Sequence, residues 1–244
     1  MTAPGGCLLD QADLACLTLA SGISLQSYRQ AHVSACVGRA LARHGIRTSA
    51  DLARKYRRDP AARAALRRSI LVPVTGLFRD PEQFELLDQH VLPALLRSRP
   101  GISVWSAGCS DGSELYSVAL LLRRRGLLAR CRLLGSDVLD ERVELARRGE
   151  VVAEAVRSDA RPVLRWERRD LLRRPPPAGA FDLILCRNVA IYFERATQRD
   201  LHARLAGALS RGGMLLLGRS ERLLCPERYG LIQAGPHLYR NDTR

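Results

Sequence analysis

The 244-residue sequence predicts an α/β protein with a mostly parallel sheet, preceded by a small all-helical domain. In the first part of the chain, apolar residues recur at three- and four-residue spacing, as in amphipathic helices. Further on, apolar runs of strand length alternate with helical patterns, which is typical of βαβ units with helices on both faces of the sheet. We therefore predict a helical domain over residues 1–73 and an α/β domain over residues 74–244.

The helical pattern of the first domain is interrupted at residues 21–24, 44–46 and 58–60, which divides it into about four helices. Candidate N-cap residues follow or occupy these interruptions: Ser24, Ser49 and Asp59. Basic residues occupy the opposite helix faces. Two interpretations of these faces stay open, a solvated surface and a docking surface for an acidic partner.

The second domain begins with an amphipathic helix over residues 81–96. The candidate strands are 102–107, 132–134, 163–166, 183–186 and 214–217. The candidate helices between them are 114–125, 140–148 and 196–209, and residues 231–233 and 237–240 predict a closing antiparallel hairpin. Such a Rossmann-like sheet binds ligands beyond the carboxyl ends of its strands.

The amino-acid composition limits the classes of binding partner but does not distinguish among them. The net charge is +14, and Lys55 is the single lysine, so almost all of the basic residues are arginines. The charge would attract a nucleic acid, an acidic protein face or a carboxylate substrate. The seven cysteines are scattered and never spaced as CxxC, so we expect no disulfide framework and no metal site. Without a leader pattern over residues 1–10 or a membrane-length apolar stretch, we expect a cytoplasmic protein that does not insert into membranes.

A glycine-containing turn and two acidic residues stand where strands are predicted to end. The turn VWSAGCSDGSE (104–114) contains Gly108 and Gly112, but its spacing differs from the GxGxxG dinucleotide fingerprint. Asp137 ends the second predicted strand, where a carboxylate commonly accepts hydrogen bonds from ribose hydroxyls. Asp170 follows the third predicted strand, where it could face an adenine edge, cap a helix or pair with neighbouring arginines. Together these features indicate a nucleoside site.

Four segments of the sequence resemble the CheR-type chemotaxis receptor methyltransferases, which methylate protein glutamate side chains. They are TGLFRD (75–80), WSAGCSDGSELYS (105–117), FDLILCRNVAIYF (181–193) and the run from Gly212-Gly213 to GRSE (218–221). The resemblance extends to the helical region and so covers most of the chain. It implies a class I methyltransferase sheet and a methyltransferase that uses S-adenosyl-L-methionine and releases S-adenosyl-L-homocysteine.

The resemblance also implies roles for individual residues. The expected cofactor contacts are Thr75, Arg79, Gly108, Glu114, Asp137, Asp170, Leu171 and Asn188, with Arg79 near the cofactor's carboxylate. We hypothesise two catalytic residues on the acceptor side, with Tyr192 lining the methyl path and Arg187 neutralising an incoming acid. A carboxylate acceptor is ionised at neutral pH and needs no general base, which is consistent with the absence of histidine from the four segments.

Some positions depart from the family pattern: Pro73, Leu77, Ser113, Leu115 and Asp170. The largest departure lies between Gly149 and Asp170, where receptor methyltransferases of this family carry a small β-subdomain. Here 20 residues intervene, without two alternating apolar strands joined by a hairpin turn. We expect the subdomain to be missing or vestigial, which favours a non-receptor acid, including a small molecule, over glutamate side chains of chemosensory receptors.

Other functions stay open alongside carboxyl methylation. The basic surface is compatible with a nucleic-acid methyltransferase, but Cys186-Arg187-Asn188-Val189 lacks the Asn/Asp-Pro-Pro-aromatic pattern typical of base amino-group methylation. A catalytically weak module that keeps the cofactor pocket is a further alternative. The sequence therefore favours a carboxylate-bearing small molecule or acidic protein segment as the partner over a nucleic acid.

Overall fold

The computed structural model describes residues 9–243. Residues 9–73 and Tyr192–Thr197 form one compact unit, and Val74–Ile191 with residues 198–243 form the other. The first eight residues, where we expected no leader sequence, lie outside the described part of the chain. No helix within the described part is long and apolar enough to cross a bilayer.

The first unit contains four α-helices, α1 (Gln11–Ser21), α2 (Gln30–His44), α3 (Ser49–Arg58) and α4 (Pro60–Leu71). Asp59 caps α4 as predicted, because its carboxylate accepts the N–H of Ala62. Ser49 does not cap α3, since the Thr48 hydroxyl oxygen accepts the N–H of Asp51 instead. Ser24 precedes only a short 3-10 turn and makes no capping bond.

The short segment Tyr192–Thr197, far along the chain, belongs to this helical unit. The N–H of Arg29 donates to the carbonyl of Tyr192, and the N–H of Glu194 donates to the carbonyl of Ser27, both at 2.9 Å. Tyr28 and Phe193 form an isolated antiparallel bridge with their rings edge-to-face, 4.9 Å between centroids. Tyr192 therefore belongs to the helical unit although it lies in a motif that begins in the other unit.

The second unit is built on a seven-stranded sheet in the order β3-β2-β1-β4-β5-β7-β6. The strands are β1 (Ser103–Ala107), β2 (Arg132–Asp137), β3 (Leu164–Arg168), β4 (Phe181–Cys186), β5 (Leu209–Leu217), β6 (Leu231–Gly235) and β7 (Leu238–Asn241). Strands β1 to β5 pair in parallel, whereas β7 pairs antiparallel with β5 and β6. The predicted Rossmann-like, mostly parallel sheet with a terminal antiparallel hairpin is confirmed.

Helices precede the first strand of this sheet and connect the later ones. They are α5 (Pro81–Leu86), a π-helical turn (Leu87–Val91), α6 (Leu92–Leu96), α7 (Ser113–Arg124), α8 (Asp140–Arg148), α9 (Glu154–Ala160) and α10 (Arg195–Gly207). The seven-residue α9 was not predicted from the sequence. It lies between Gly149 and β3, a stretch in which the described residues contain no strand, so no β-subdomain is inserted there.

Candidate active site

The carboxyl ends of β1, β2 and β4 lie side by side, because β1 pairs with both of the other strands. From β1 the sheet continues through β2 and β3 on one side and through β4 and β5 on the other. In parallel sheets a ligand-binding crevice forms where the strand order reverses in this way. Gly108, Asp137 and Arg187 each lie at or directly after one of these strand ends. The fold therefore brings together three of the residues that the sequence nominated.

The turn after β1 is shaped by left-handed backbone conformations and close packing. Gly108 has φ +89°, Ser110 +49° and Gly112 +85°. A β-carbon at Gly108 would lie 2.5 Å from a methyl group of Val189, and one at Gly112 would lie 2.8 Å from the Trp166 ring. Glycine is required at both positions because a side chain would be strained and would collide with these neighbours.

Asp137 is held at the end of β2 by the backbone around it. Its two carboxylate oxygens accept the N–H groups of Ser110 and Leu139, each at 2.9 Å. Burial raises the pKa of Asp137, while these backbone donors and the nearby Arg142 guanidinium act in the opposite direction. Each oxygen keeps capacity for another donor, so the carboxylate can accept the two hydroxyls of a ribose.

One buried polar atom in the turn after β1 tests whether the residues there fit a nucleoside-bearing cofactor. The hydroxyl of Ser110 is buried and has no hydrogen-bond partner among the described residues. Its own backbone N–H holds Asp137, so the unpaired hydroxyl belongs to the same strand-end turn. An unpaired buried hydroxyl is costly unless a ligand or water satisfies it. The residues present here therefore fit a polar, nucleoside-bearing cofactor.

Arg187 is buried in a network of polar and charged groups. Its Nε donates to Gln83 Oε1 at 2.7 Å, its Nη1 to Glu114 Oε2 at 3.2 Å, and its Nη2 to Asp80 Oδ2 at 2.9 Å and to the carbonyl of Arg79. The guanidinium also lies 5.0 Å from the centroid of the Phe84 ring. These contacts tie Arg187 to groups within its own unit, so its hypothesised contact with an incoming acid stays a prediction.

Glu114, in the first turn of α7, takes part in the same network. Its Oε1 accepts the hydroxyl of Ser106 at 2.6 Å, and its Oε2 accepts Arg187. Only 8% of Glu114 is exposed. The sequence analysis proposed separate roles for Glu114 and Arg187. It did not predict that they form an ion pair or that Arg187 also contacts Asp80 and Gln83.

Thr75 and Arg79 lie on the segment that precedes α5. The N–H of Phe78 donates to the Ser117 hydroxyl at 2.9 Å, which joins this segment to α7, the helix that follows β1. Arg79 donates through Nη1 to the carbonyl of Val74 at 2.6 Å and remains half-buried. Its guanidinium thus keeps other N–H groups that could meet a carboxylate.

Asp170 and Leu171 follow β3, as the sequence predicted. Asp170 Oδ1 accepts the N–H of Leu172 at 2.9 Å, and the carboxylate lies 3.6 Å from Nε of Arg173. This is the turn-capping and arginine-pairing arrangement that the sequence left open. The contact of Asp170 and Leu171 with an adenine stays a prediction.

Glu221 is a site residue that the sequence reasoning did not single out, although it ends the GRSE motif. Its side chain is buried, and its carboxylate accepts backbone N–H groups from the segment that follows β4 and from Gly218. The first residue of that segment, Asn188, is half-buried and has φ +59°. The motif position was visible in the sequence, but the partners of the carboxylate were not.

Tyr192 contacts His32, a histidine that lies outside the four motif segments. The rings of Tyr192 and His32 lie 4.9 Å apart within the helical unit. His32 Nε2 donates to the carbonyl of Ile70 at 2.8 Å, which fixes the orientation of the imidazole. His32 and Tyr192 are far apart in sequence, so no local pattern indicates their contact.

Comparison with known proteins identifies close matches to this sequence. The family profile described as "CheR methyltransferase, SAM binding domain" matches residues 73–158 and 152–235. Chemotaxis protein methyltransferase 1 of Pseudomonas aeruginosa is 30% identical over 253 residues, covering 89% of this chain and 91% of that protein. A chemotaxis protein methyltransferase of Listeria innocua is 32% identical over 192 residues, covering 70% of this chain and 73% of that protein.

A solved structure shares the fold. An O-methyltransferase family protein from Burkholderia thailandensis superposes with a TM-score of 0.50 and 17% sequence identity, covering 78% of this chain and 63% of that one. At this level of identity the similarity concerns the fold alone.

Proposed function

Because this chain belongs to the CheR methyltransferase family and is an S-adenosylmethionine-dependent methyltransferase, we propose that its acceptor is a carboxylate. The observation that carries the proposal is the family match, which covers the ends of β1, β2 and β4 and the motif segments at β1 and β4. The Asp137 carboxylate and the unpaired Ser110 hydroxyl support the cofactor position within this region.

When bound, S-adenosylmethionine supplies an activated methyl group on a sulfonium, which is a good leaving group. Transfer of this methyl group to a carboxylate oxygen would give a methyl ester and leave the cofactor as a neutral thioether. The acceptor is already ionised at neutral pH, so no proton has to be removed. The residues of this chain therefore have to orient the reactants and exclude water.

We assign the cofactor contacts by the chemistry of each group. Asp137 accepts the ribose hydroxyls, and Arg79 pairs with the cofactor's carboxylate through its remaining N–H groups. The carboxylate of Glu114 has further lone pairs for the cofactor's ammonium group. The remaining contacts are assigned to Thr75, Gly108, Asp170, Leu171 and Asn188.

For the acceptor, we place glutamate side chains of a chemosensory receptor first. Two relatives that cover 70% and 89% of this chain are named as chemotaxis protein methyltransferases. The helical unit, rich in arginine, is also complementary in charge to an acidic protein segment. A smaller acid is the second candidate, favoured by the lack of a β-subdomain between Gly149 and β3.

The acceptor classes can be separated by the chemistry of the product. Purified protein is incubated with S-adenosylmethionine carrying a tritiated methyl group, and with either a helical receptor fragment rich in glutamate or a set of mono- and dicarboxylic acids. Methyl esters release labelled methanol in alkali. We expect alkali-labile label on the fragment; labile label on a small acid would support the second candidate. Alkali-stable label, or label on added DNA or RNA, would contradict carboxyl methylation.

Replacing Tyr192 with phenylalanine is expected to lower turnover about tenfold or more, because a polar group facing the transferring methyl would be lost. The affinity for S-adenosylhomocysteine should stay within about twofold, since the ring that packs on His32 is retained. Steady-state kinetics and calorimetry measure the two quantities. Tyr229→Phe removes an equivalent hydroxyl outside the motifs and is the matched control. Unchanged turnover in Tyr192→Phe would remove the hydroxyl from the mechanism.

A further inference from the structure

We propose that Glu221 is a positioning residue of the methyl-transfer site, whose carboxylate fixes the backbone of residues 188–191. This segment begins with Asn188 and leads directly to Tyr192 in the chain. The inference rests on the proposed function, because Asn188 and Tyr192 have roles in methyl transfer only there.

One carboxylate holds the whole segment. Its two oxygens accept five backbone N–H groups, and only 5% of Glu221 is exposed. Oε2 accepts Asn188 at 2.6 Å and Gly218 at 2.9 Å, whereas Oε1 accepts Val189 at 3.1 Å, Ala190 at 2.7 Å and Ile191 at 3.2 Å. Successive N–H groups that converge in this way form an anion-binding concavity. Here the anion is a side chain of the same unit.

The arrangement requires a carboxylate and not merely a polar side chain. All five partners are donors, and an ionised carboxylate is an acceptor on both oxygens. A glutamine of the same size would place an amide NH₂ against some of these N–H groups and leave them without an acceptor. Burial raises the pKa of Glu221, and the N–H donors oppose that change by stabilising the anion.

The held segment also contacts other parts of the candidate site. A methyl group of Val189 lies 2.5 Å from where a β-carbon at Gly108 would stand, so the segment packs closely on the turn after β1. A β-carbon at Gly218 would lie 2.6 Å from Glu221 Oε2 and 2.7 Å from the N–H nitrogen of Asn188. Glycine at 218 thus allows the end of β5 to approach both groups. Without the Glu221 carboxylate, the N–H groups of residues 188–191 would lose their acceptor, and both Asn188 and the backbone that leads to Tyr192 would become more mobile.

The test compares Glu221→Gln with Glu227→Gln, which makes the same charge change on an exposed residue six positions later. For Glu221→Gln we expect kcat for methylation of the receptor fragment to fall about tenfold or more, exceeding the loss of affinity for S-adenosylhomocysteine. Hydrogen exchange should accelerate in residues 188–191 and not in β1 or α7. Glu227→Gln should resemble the wild type in all three measurements.

Two results with Glu221→Gln would overturn the proposal. The first is a Glu221→Gln protein whose kcat stays within about twofold of the wild type. The second is exchange that accelerates equally throughout the unit, because that would indicate a general loss of stability. If Glu221→Gln does not fold, Glu221→Asp keeps the charge on a shorter side chain, and we expect a folded protein with intermediate kcat; wild-type-like kcat and exchange in it would overturn the proposal.

Failure of the proposed function would look different. A wild-type protein that binds S-adenosylhomocysteine but does not methylate the receptor fragment would count against the acceptor. Exchange at residues 188–191 and cofactor affinity would still decide the role of Glu221. Unprotected amides at these positions in the wild type would contradict the proposal, whatever the acceptor is.

Discussion

Replacing Asp137 with alanine is expected to weaken binding of S-adenosylhomocysteine about 100-fold or more, because two hydrogen bonds from ribose hydroxyls to a charged acceptor would be lost. The replacement also frees the N–H groups of Ser110 and Leu139, so the turn after β1 would lose its anchor. Calorimetric titration of the purified variant measures the effect. Asp140→Asn, at an exposed position on α8, is the control for a charge change nearby and should bind as the wild type does.

A truncated ligand separates Asp137 from Arg79. 5′-Methylthioadenosine retains the ribose and the base but lacks the amino-acid carboxylate. Asp137→Ala should lose both ligands, whereas Arg79→Ala should lose affinity for S-adenosylhomocysteine and keep its affinity for the truncated ligand. Equal binding of both ligands by wild type and Asp137→Ala would place the nucleoside elsewhere and contradict the assignment.

The fold was largely predictable because the signals that define it are local. Alternation of apolar runs with helical patterns indicated the five parallel strands, and a hairpin pattern indicated the last two. The limits of the strands were less accurate. Strand β5 begins at Leu209 and not at Met214, because Gly212 and Gly213, which are typical of turns, lie inside the strand next to an irregularity in its pairing with β4. Helix α9 is too short for a period of 3.6 residues to be evident.

The candidate site was only partly predictable, because its interactions link distant parts of the chain. Gly108 and Asp137 could be nominated from the strand ends that precede them. The partners of Arg187 could not, since Asp80 lies 107 residues away and Glu114 lies 73 residues away. The same holds for Glu221, whose bonds to residues 188–191 span 30 to 33 residues. A sequence motif identifies such residues without revealing whether they face a ligand or each other.

Arg187→Met tests which of these two roles Arg187 has. The side chain is 3% exposed and forms ion pairs with Asp80 and Glu114. Removing one partner from a buried ion pair costs about 3–5 kcal/mol, because the remaining charge is left uncompensated. We therefore expect the free energy of unfolding of the second unit to fall by about that amount. Both tryptophans of the chain, Trp105 and Trp166, lie in this unit, so their fluorescence during denaturant unfolding reports on it alone.

Three further variants make this measurement specific. Arg147→Met removes an exposed arginine that pairs with Glu144 on α8, and it should cost less than about 1 kcal/mol, as surface ion pairs do. Adding Glu114→Gln to Arg187→Met removes one of the uncompensated carboxylates, so the double variant should recover part of the lost stability. With the single variant Glu114→Gln, the double-mutant cycle gives the coupling energy. Arg187→Met could instead be as stable as the wild type but no longer methylate its acceptor. In that case the ion pairs with Asp80 and Glu114 would not explain why an arginine is needed at position 187. That result would support the hypothesis taken from the sequence, in which Arg187 neutralises the incoming acid.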